Sequence, residues 1–219
     1  MRVMNETAAG PPCQITFGGL TICFDHRVLA PRPWTEAQSE WGAELLIQAP
    51  LGPVLELCAG AGHIGLRAIR DSDRSLVMVD VNPAAQEIAR ANAEANQMSS
   101  RVETRLAPLA SALGDEERFA LILADPPWVR TADTSMYPDD PVLAIDGGDD
   151  GLALARVCME LIERHLVDGG SALLQLGTRA QAHALAEDVA GQARPALDVL
   201  EVRHGDRGVI VRIDRRSAV

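Results

Sequence analysis

Asp125-Pro126-Pro127-Trp128 brings together the groups needed to hold a nitrogen nucleophile. An ionised aspartate offers acceptor oxygens only, and the Pro126 backbone carbonyl is a second acceptor. Together they can accept two N–H bonds and turn the nitrogen lone pair toward an electrophile. Trp128 adds a flat wall for stacking. The two prolines lack N–H donors and have a fixed φ, so this stretch is stiff and continues neither a ladder nor a helix. It follows an apolar run, Phe119 to Ala124, that reads as a strand. By itself such a tetrapeptide is equally a turn that ends a strand.

A second constellation lies upstream. Glu56-Leu-Cys58-Ala-Gly60-Ala-Gly62-His63-Ile-Gly65 joins a predicted strand to a predicted helix. Glycines let the backbone turn tightly and approach a ligand, and a helix start adds free N–H donors. Asp80 ends the next strand, where a carboxylate can accept from ribose hydroxyls. Gly60, Gly62 and Gly65 also satisfy the dinucleotide pattern GxGxxG, which keeps a nicotinamide-dependent oxidoreductase open. No Gly-Lys-Ser/Thr follows, which excludes a P-loop. Glu56, set inside the strand, favours a cationic, amino-acid-like ligand over a pyrophosphate, and S-adenosylmethionine is such a ligand. The expected cofactor contacts are Glu56, Cys58, Gly60, Gly62, Asp80 and Asp125.

The remaining candidates have plainer readings. His63 beside the glycine loop reads as a helix-start residue, and Cys58 as a small residue closing a buried strand rather than a nucleophile. His26, His165, His183 and His204 lack metal-ligand spacing. Asp139, Asp140, Asp146, Asp149 and Asp150 read as loop and helix-start residues that complement a helix dipole. No metal is expected. Tyr137 lies in a loop, Thr131 to Ile145, long enough to form a lid over a substrate.

The elements that must position these groups follow a repeating pattern. Residues 1–13 read as a flexible leader. Ile15 to Phe24 reads as a hairpin about Gly18-Gly19, and Glu36 to Gln48 as a helix. Strand and helix then alternate: strands at 54–58, 75–79, 102–106, 119–124 and 172–176, helices at 63–70, 84–96, 152–166 and 180–189. Asp168-Gly169-Gly170 reads as the end of the helix that precedes the strand at 172–176. Strands near 197–202 and 208–213 have a short connection that implies an antiparallel pair. Repeated βα units predict an α/β fold, a mostly parallel sheet with helices on both faces. The expected division is a leader at 1–13, a hairpin and helix at 14–50, and a main domain at 51–219.

Composition narrows the partners. The chain has 219 residues, 47% of them hydrophobic, and a formal charge of −11. A protein that grips nucleic acid by its phosphates carries a basic face. The basic cluster here, Arg212 to Arg216, lies at the C-terminal end, so a nucleic-acid partner is disfavoured. No apolar run is long enough to span a membrane. Four dispersed cysteines without a CxxC pair suit a reduced, cytoplasmic setting.

The set Glu56…Gly60-Ala-Gly62, Asp80 and Asp-Pro-Pro-Trp resembles the class I S-adenosylmethionine-dependent methyltransferases. More narrowly it resembles the release-factor glutamine N5-methyltransferase family. Val28-Leu-Ala-Pro-Arg-Pro-Trp-Thr-Glu36, Ala144-Ile-Asp-Gly-Gly-Asp-Asp-Gly-Leu152 and Asp168-Gly-Gly170 add to the likeness, which runs from about residue 15 onward. It implies a Rossmann-like, seven-stranded sheet with an antiparallel last strand. It implies that Glu56, Gly60, Gly62 and Asp80 hold the cofactor, and that Asp125 to Trp128 occupy the place of the family's substrate-binding Asn-Pro-Pro-Tyr. Asp125, Pro126 and Trp128 are then the expected catalytic residues, and Pro127, Trp128, Arg32 and Tyr137 the expected substrate contacts. The chain departs from the pattern at Asp125 and at Trp128. It also departs at Ala107-Pro108-Leu109, where the family often has an acid that reads adenine, and the short leader is expected not to form the helical N-terminal domain that release-factor enzymes carry. The expected acceptor is a protein side-chain nitrogen, glutamine-like, or a small-molecule amine. The alternatives are an adenine-type nucleic-acid methyltransferase and an inactive S-adenosylmethionine-binding module.

Overall fold

The runs Val54–Leu57 (β3), apolar except for Glu56, and Phe119–Ala124 (β6) are buried at every position, on both faces of the chain. That is the signature of central strands in a parallel sheet covered on both sides. They pair with each other in the computed structural model, which describes residues 12–191 and 196–215. Leu76–Asp80 (β4) and Val102–Leu106 (β5) extend the sheet beyond β3, and Leu166–Leu176 (β7) continues it beyond β6. Leu197–His204 (β8) and Val209–Arg215 (β9) complete it. The order is β5-β4-β3-β6-β7-β9-β8, with β9 antiparallel to both neighbours. Arg216, in the basic cluster, and residues 1–11 of the expected leader lie outside the described residues.

Helices cover both faces. Glu36–Leu46 (α1), His63–Ile69 (α2) and Pro83–Ala95 (α3) pack on one side, through Trp41, Leu66, Ile69 and Ile88. Ala153–His165 (α5) and Arg179–Ala190 (α6) pack on the other, through Cys158, Ile162 and Leu185. A four-residue helix, Val142–Ile145 (α4), lies in the connection between β6 and α5, after a 3-10 turn at Thr131–Met136. The segment expected to be a lid therefore has local structure.

The N-terminal hairpin, Cys13–Phe17 (β1) and Leu20–Phe24 (β2), is a separate two-stranded sheet whose Phe17, Leu20 and Ile22 join the core of the α1–α3 face. Asn92 of α3 fastens it. Its Nδ2 donates to Cys23 O and Ala61 O at 2.9 Å each, and its Oδ1 accepts from Cys23 N at 2.8 Å.

The end of α5 departs from expectation. The helix stops at His165 and β7 starts at Leu166, so Asp168-Gly169-Gly170 lies inside the strand. Pairing with β6 passes from Phe119↔Leu166 to Leu121↔Ser171, which leaves residues 167–170 as a bulge. Gly169 takes φ +75 there, a value glycine adopts at little cost. The glycines shape an irregular strand rather than stop a helix.

Strand order reverses between β3 and β6. In open α/β sheets the crevice beyond the C-terminal ends of the strands at that switch is where ligands bind. The glycine loop after β3, Asp80 at the end of β4 and Asp125 after β6 all emerge there. No helix among the described residues is long and apolar enough to cross a membrane.

Candidate active site

The loop after β3 turns through left-handed conformations at Cys58 (φ +58), Gly60 (φ +52) and Gly62 (φ +75). Gly62 is required from below, since a Cβ there would lie 2.7 Å from Met78 Sδ. At Gly60 a Cβ would meet nothing, so this glycine faces open space. Asp80 braces the turn: Gly60 N donates to Oδ2 and Asn82 N to Oδ1, both at 2.8 Å. Each oxygen keeps acceptor capacity for a ligand.

These residues bound a cavity of about 330 Å³ whose wall includes Cys58, Gly60, His63, Asp80, Ala107, Pro108, Leu109 and Asp125. Two expected contacts are absent from that wall. Gly62 lies beneath it, and Glu56 is buried under α2 at 2% exposure, packed so closely on Gly65 that a Cβ there would sit 2.4 Å from Oε2. Neither Glu56 oxygen makes a hydrogen bond of good geometry. Burial, with the charges of Asp125 and Asp80 nearby, pushes its carboxyl up to about 8.

Cys58 does line the cavity, but hydrogen bonding to Cys158 and burial push its thiol well above its ordinary value. It is therefore a neutral thiol and a poor nucleophile. His63 is held by Thr35 Oγ1 at 3.2 Å from Nε2 and by an edge contact with Phe17 at 4.8 Å. Burial pulls it down to about 3, so its imidazole is neutral.

Asp125 is the hinge of the site, because it walls a second cavity as well. This one, about 340 Å³, is lined by Trp34, Pro126, Trp128, Tyr137 and Arg207 among others, and Arg32 walls both. Asp125 has no hydrogen-bond partner among the described residues, and burial pushes its carboxyl up to about 7. Arg32 is not free: its guanidinium is paired with Asp140. Pro127 belongs to the wall of the first cavity rather than the second. The structure thus gathers Asp125, Pro126, Trp128, Arg32 and Tyr137 around one opening, and leaves Glu56 and Gly62 behind the scenes of the other.

The tetrapeptide is clamped from three directions. Gln38, from α1, donates to Ala124 O and Leu173 O at 3.0 Å each, tying the end of β6 to the interior of β7. Gln181, in the first turn of α6, donates to Trp128 O at 2.9 Å and to Asp150 O at 3.2 Å, while its Oε1 accepts from Gly177 N and Thr178 N. The indole of Trp128 rests on Gly177, where a Cβ would lie 2.3 Å from Cε3. The Gly-Gly-x-Asp-Gly run serves the same clamp, because a Cβ at Gly147 would lie 2.7 Å from Pro127 O and one at Gly151 2.4 Å from Trp128 O.

Five of these residues escape the sequence reading: Trp34, Gln38, Asn92, Gln181 and Arg207. For Gln181 a signal exists, since Thr178-x-x-Gln181 has capping-box spacing and the box is formed. Trp34 lies in the quoted Val28–Glu36 run without being singled out, and Gln38, Asn92 and Arg207 carry no local mark.

The methyltransferase small domain family model matches residues 34–138. Among curated proteins, the release factor glutamine methyltransferase of Cereibacter sphaeroides is 34% identical over 81% of this chain and 64% of its own length. The ribosomal protein uL3 glutamine methyltransferase of Francisella tularensis is 30% identical over 74% of this chain and 53% of its own. The chain thus spans between half and two thirds of these relatives. Among solved structures, the human hMettl16 catalytic domain in complex with the MAT2A 3′UTR hairpin 1 aligns with a TM-score of 0.73 at 16% identity, over 90% of this chain and 75% of that one. Ribosomal protein L11 methylase from Lactobacillus delbrueckii subsp. bulgaricus aligns at 0.64 and 16% identity, over 88% and 84%. At such identities these likenesses concern the fold alone.

Proposed function

We propose that this chain is an S-adenosylmethionine-dependent methyltransferase and that it methylates a protein side-chain nitrogen of glutamine-like geometry, a reading supported by its likeness to the methyltransferase small domain and to glutamine methyltransferases. One observation carries the reading: Asp125 stands in the wall of both cavities, so a single carboxyl faces a cofactor on one side and an acceptor on the other. The residues present fit the cofactor. Gly60 leaves the open approach a close-lying ligand needs, Asp80 and Asp125 offer carboxyls to a cation and its hydroxyls, and Ala107, Pro108 and Leu109 form an apolar wall for a flat base. When bound, S-adenosylmethionine supplies an electrophilic methyl group on a sulfonium.

The chain's own work is then orientation. Asp125 and the Pro126 carbonyl accept the two N–H bonds of the incoming nitrogen and leave its lone pair facing the first cavity. Holding reactants in line accounts for much of such a barrier reduction. Asp125 is also placed to accept the proton that the nitrogen loses. Trp128 and Trp34 wall the opening against water.

A small-molecule amine is the second reading, supported by the carboxyl where relatives of the resembled family have an amide. An adenine-type nucleic-acid substrate is opposed by the formal charge of −11. Transfer of a labelled methyl group from S-adenosylmethionine into a fractionated lysate decides among them. The expected label is acid-stable, protease-sensitive and in the protein fraction. Label confined to nucleic acid or to small molecules overturns the reading.

A further inference from the structure

The second cavity holds a cation, Arg207, that no carboxylate pairs among the described residues. Arg207 lies in the short turn between β8 and β9 and belongs to the cavity wall with Asp125. Its guanidinium makes no hydrogen bond or ion pair among the described residues. It is not loose, however. Its carbonyl accepts from Gln175 Nε2 at 3.4 Å, and the turn closes on Gly208 at φ +75, where a Cβ would lie 2.4 Å from Leu176 O.

Trp34 fixes where the charge sits. Two guanidiniums flank its ring, Arg32 at 5.7 Å and Arg207 at 5.6 Å from the centroid. A cation at that range is attracted by the ring's quadrupole. The two arginines are not equivalent. Arg32 is neutralised by Asp140, whereas Arg207 keeps its charge at the mouth of the acceptor cavity.

We propose that Arg207, seated on Trp34, is an anion subsite of the acceptor cavity, and that the substrate is a peptide segment with one carboxylate close to the accepting nitrogen. This rests on the protein-acceptor reading of the same cavity. Because the subsite shares a cavity with Asp125, the acidic residue lies within about two positions of the acceptor, at roughly 3.3–3.6 Å per extended residue. The guanidinium fork matches a carboxylate in two-point geometry. One negative charge suits the subsite and many do not. Asp139 and Asp140 share the wall and Asp206 adjoins Arg207, so a polyanion meets repulsion a single carboxylate avoids.

The test is binding of short blocked peptides with a central glutamine, read from the fluorescence of the cavity tryptophans with S-adenosylhomocysteine present. One peptide carries a glutamate near the central residue, and its partner carries glutamine there. We expect the acidic peptide to bind about fivefold more tightly in low salt, and the preference to fade as salt rises. Arg207→Gln abolishes the preference, and Arg207→Lys keeps part of it. Equal binding of the two peptides, no binding of either, or a preference that survives Arg207→Gln overturns the proposal. So does tighter binding of a single-stranded oligonucleotide than of the acidic peptide. If the acidic preference holds and no peptide accepts a labelled methyl group, the functional reading fails and the subsite stands. If peptides are methylated without the preference, the subsite alone fails.

Discussion

Asp125 replaces the asparagine of the resembled family, and its surroundings soften that replacement. An ionised carboxylate only accepts, whereas a neutral carboxyl has one donor and one acceptor, as an amide does. With its carboxyl pushed up to about 7, Asp125 exists in both forms near neutrality. The sequence alone suggests a fixed negative charge there; burial, which depends on the whole fold, makes it a titrating one. A carboxylate accepts N–H bonds more strongly than its protonated form. Methyl transfer is therefore expected to rise with pH through about 7 as a single proton leaves. Asp125→Asn removes that limb. Rate profiles across neutral pH for both proteins check it, and an unchanged limb in the variant would assign the titration to another group.

At the scale of elements, the glycine loop and the apolar strands were legible because their patterns are local. Glycines at Gly60 and Gly62, an acid ending β4, a β3 apolar but for Glu56 and a fully apolar β6 are each readable in a few consecutive residues. The clamp around the tetrapeptide was not, because its partners are remote. Gln38 meets Leu173 across 135 positions and Gln181 meets Trp128 across 53, and the hairpin's fastening is as remote, Asn92 meeting Cys23 across 69. Asp168-Gly169-Gly170 misled for a related reason: a bulge and a helix stop use the same residues, and pairing with β6 decides between them. Gln181 permits a test of the clamp. Gln181→Glu keeps the oxygens that cap α6 but loses the donor to Trp128 O. A buried carbonyl left unpaired costs about 1–3 kcal/mol. The variant is expected to unfold at correspondingly lower urea and to show a raised KM for the acceptor. Unchanged values for both would mean that the Gln181 bond to Trp128 O does not hold the loop.

Across the whole molecule, the buried carboxyls set how stability follows pH. Glu56 and Asp125 are both raised, to about 8 and about 7, by burial. The folded state thus holds protons that the unfolded state has already released. Their contribution is full below the ordinary carboxylate range and is lost as pH rises through those values. His63, pulled down to about 3, acts at the other end, where stability is lost as pH falls below the ordinary histidine value. Above pH 6.5 the carboxyls dominate this trio, each costing about 1.4 kcal/mol per pH unit until it titrates. Glu56→Gln is expected to flatten the fall in Tm between pH 6.5 and 8 by roughly 3–5 °C per unit. Thermal scans at several pH values measure it, and parallel curves for both proteins would count against a buried, protonated Glu56. The hairpin belongs to this same balance, since Phe17 and Ile22 share a core with α2 and α3 rather than forming a unit apart.

Gly177 lines neither cavity, yet the Trp128 indole rests directly on it. The residue behind the ring therefore acts as a mechanical stop, and the breadth of the second cavity is calibrated from outside it. Redesign of acceptor size has a handle that leaves every residue facing the ligand untouched.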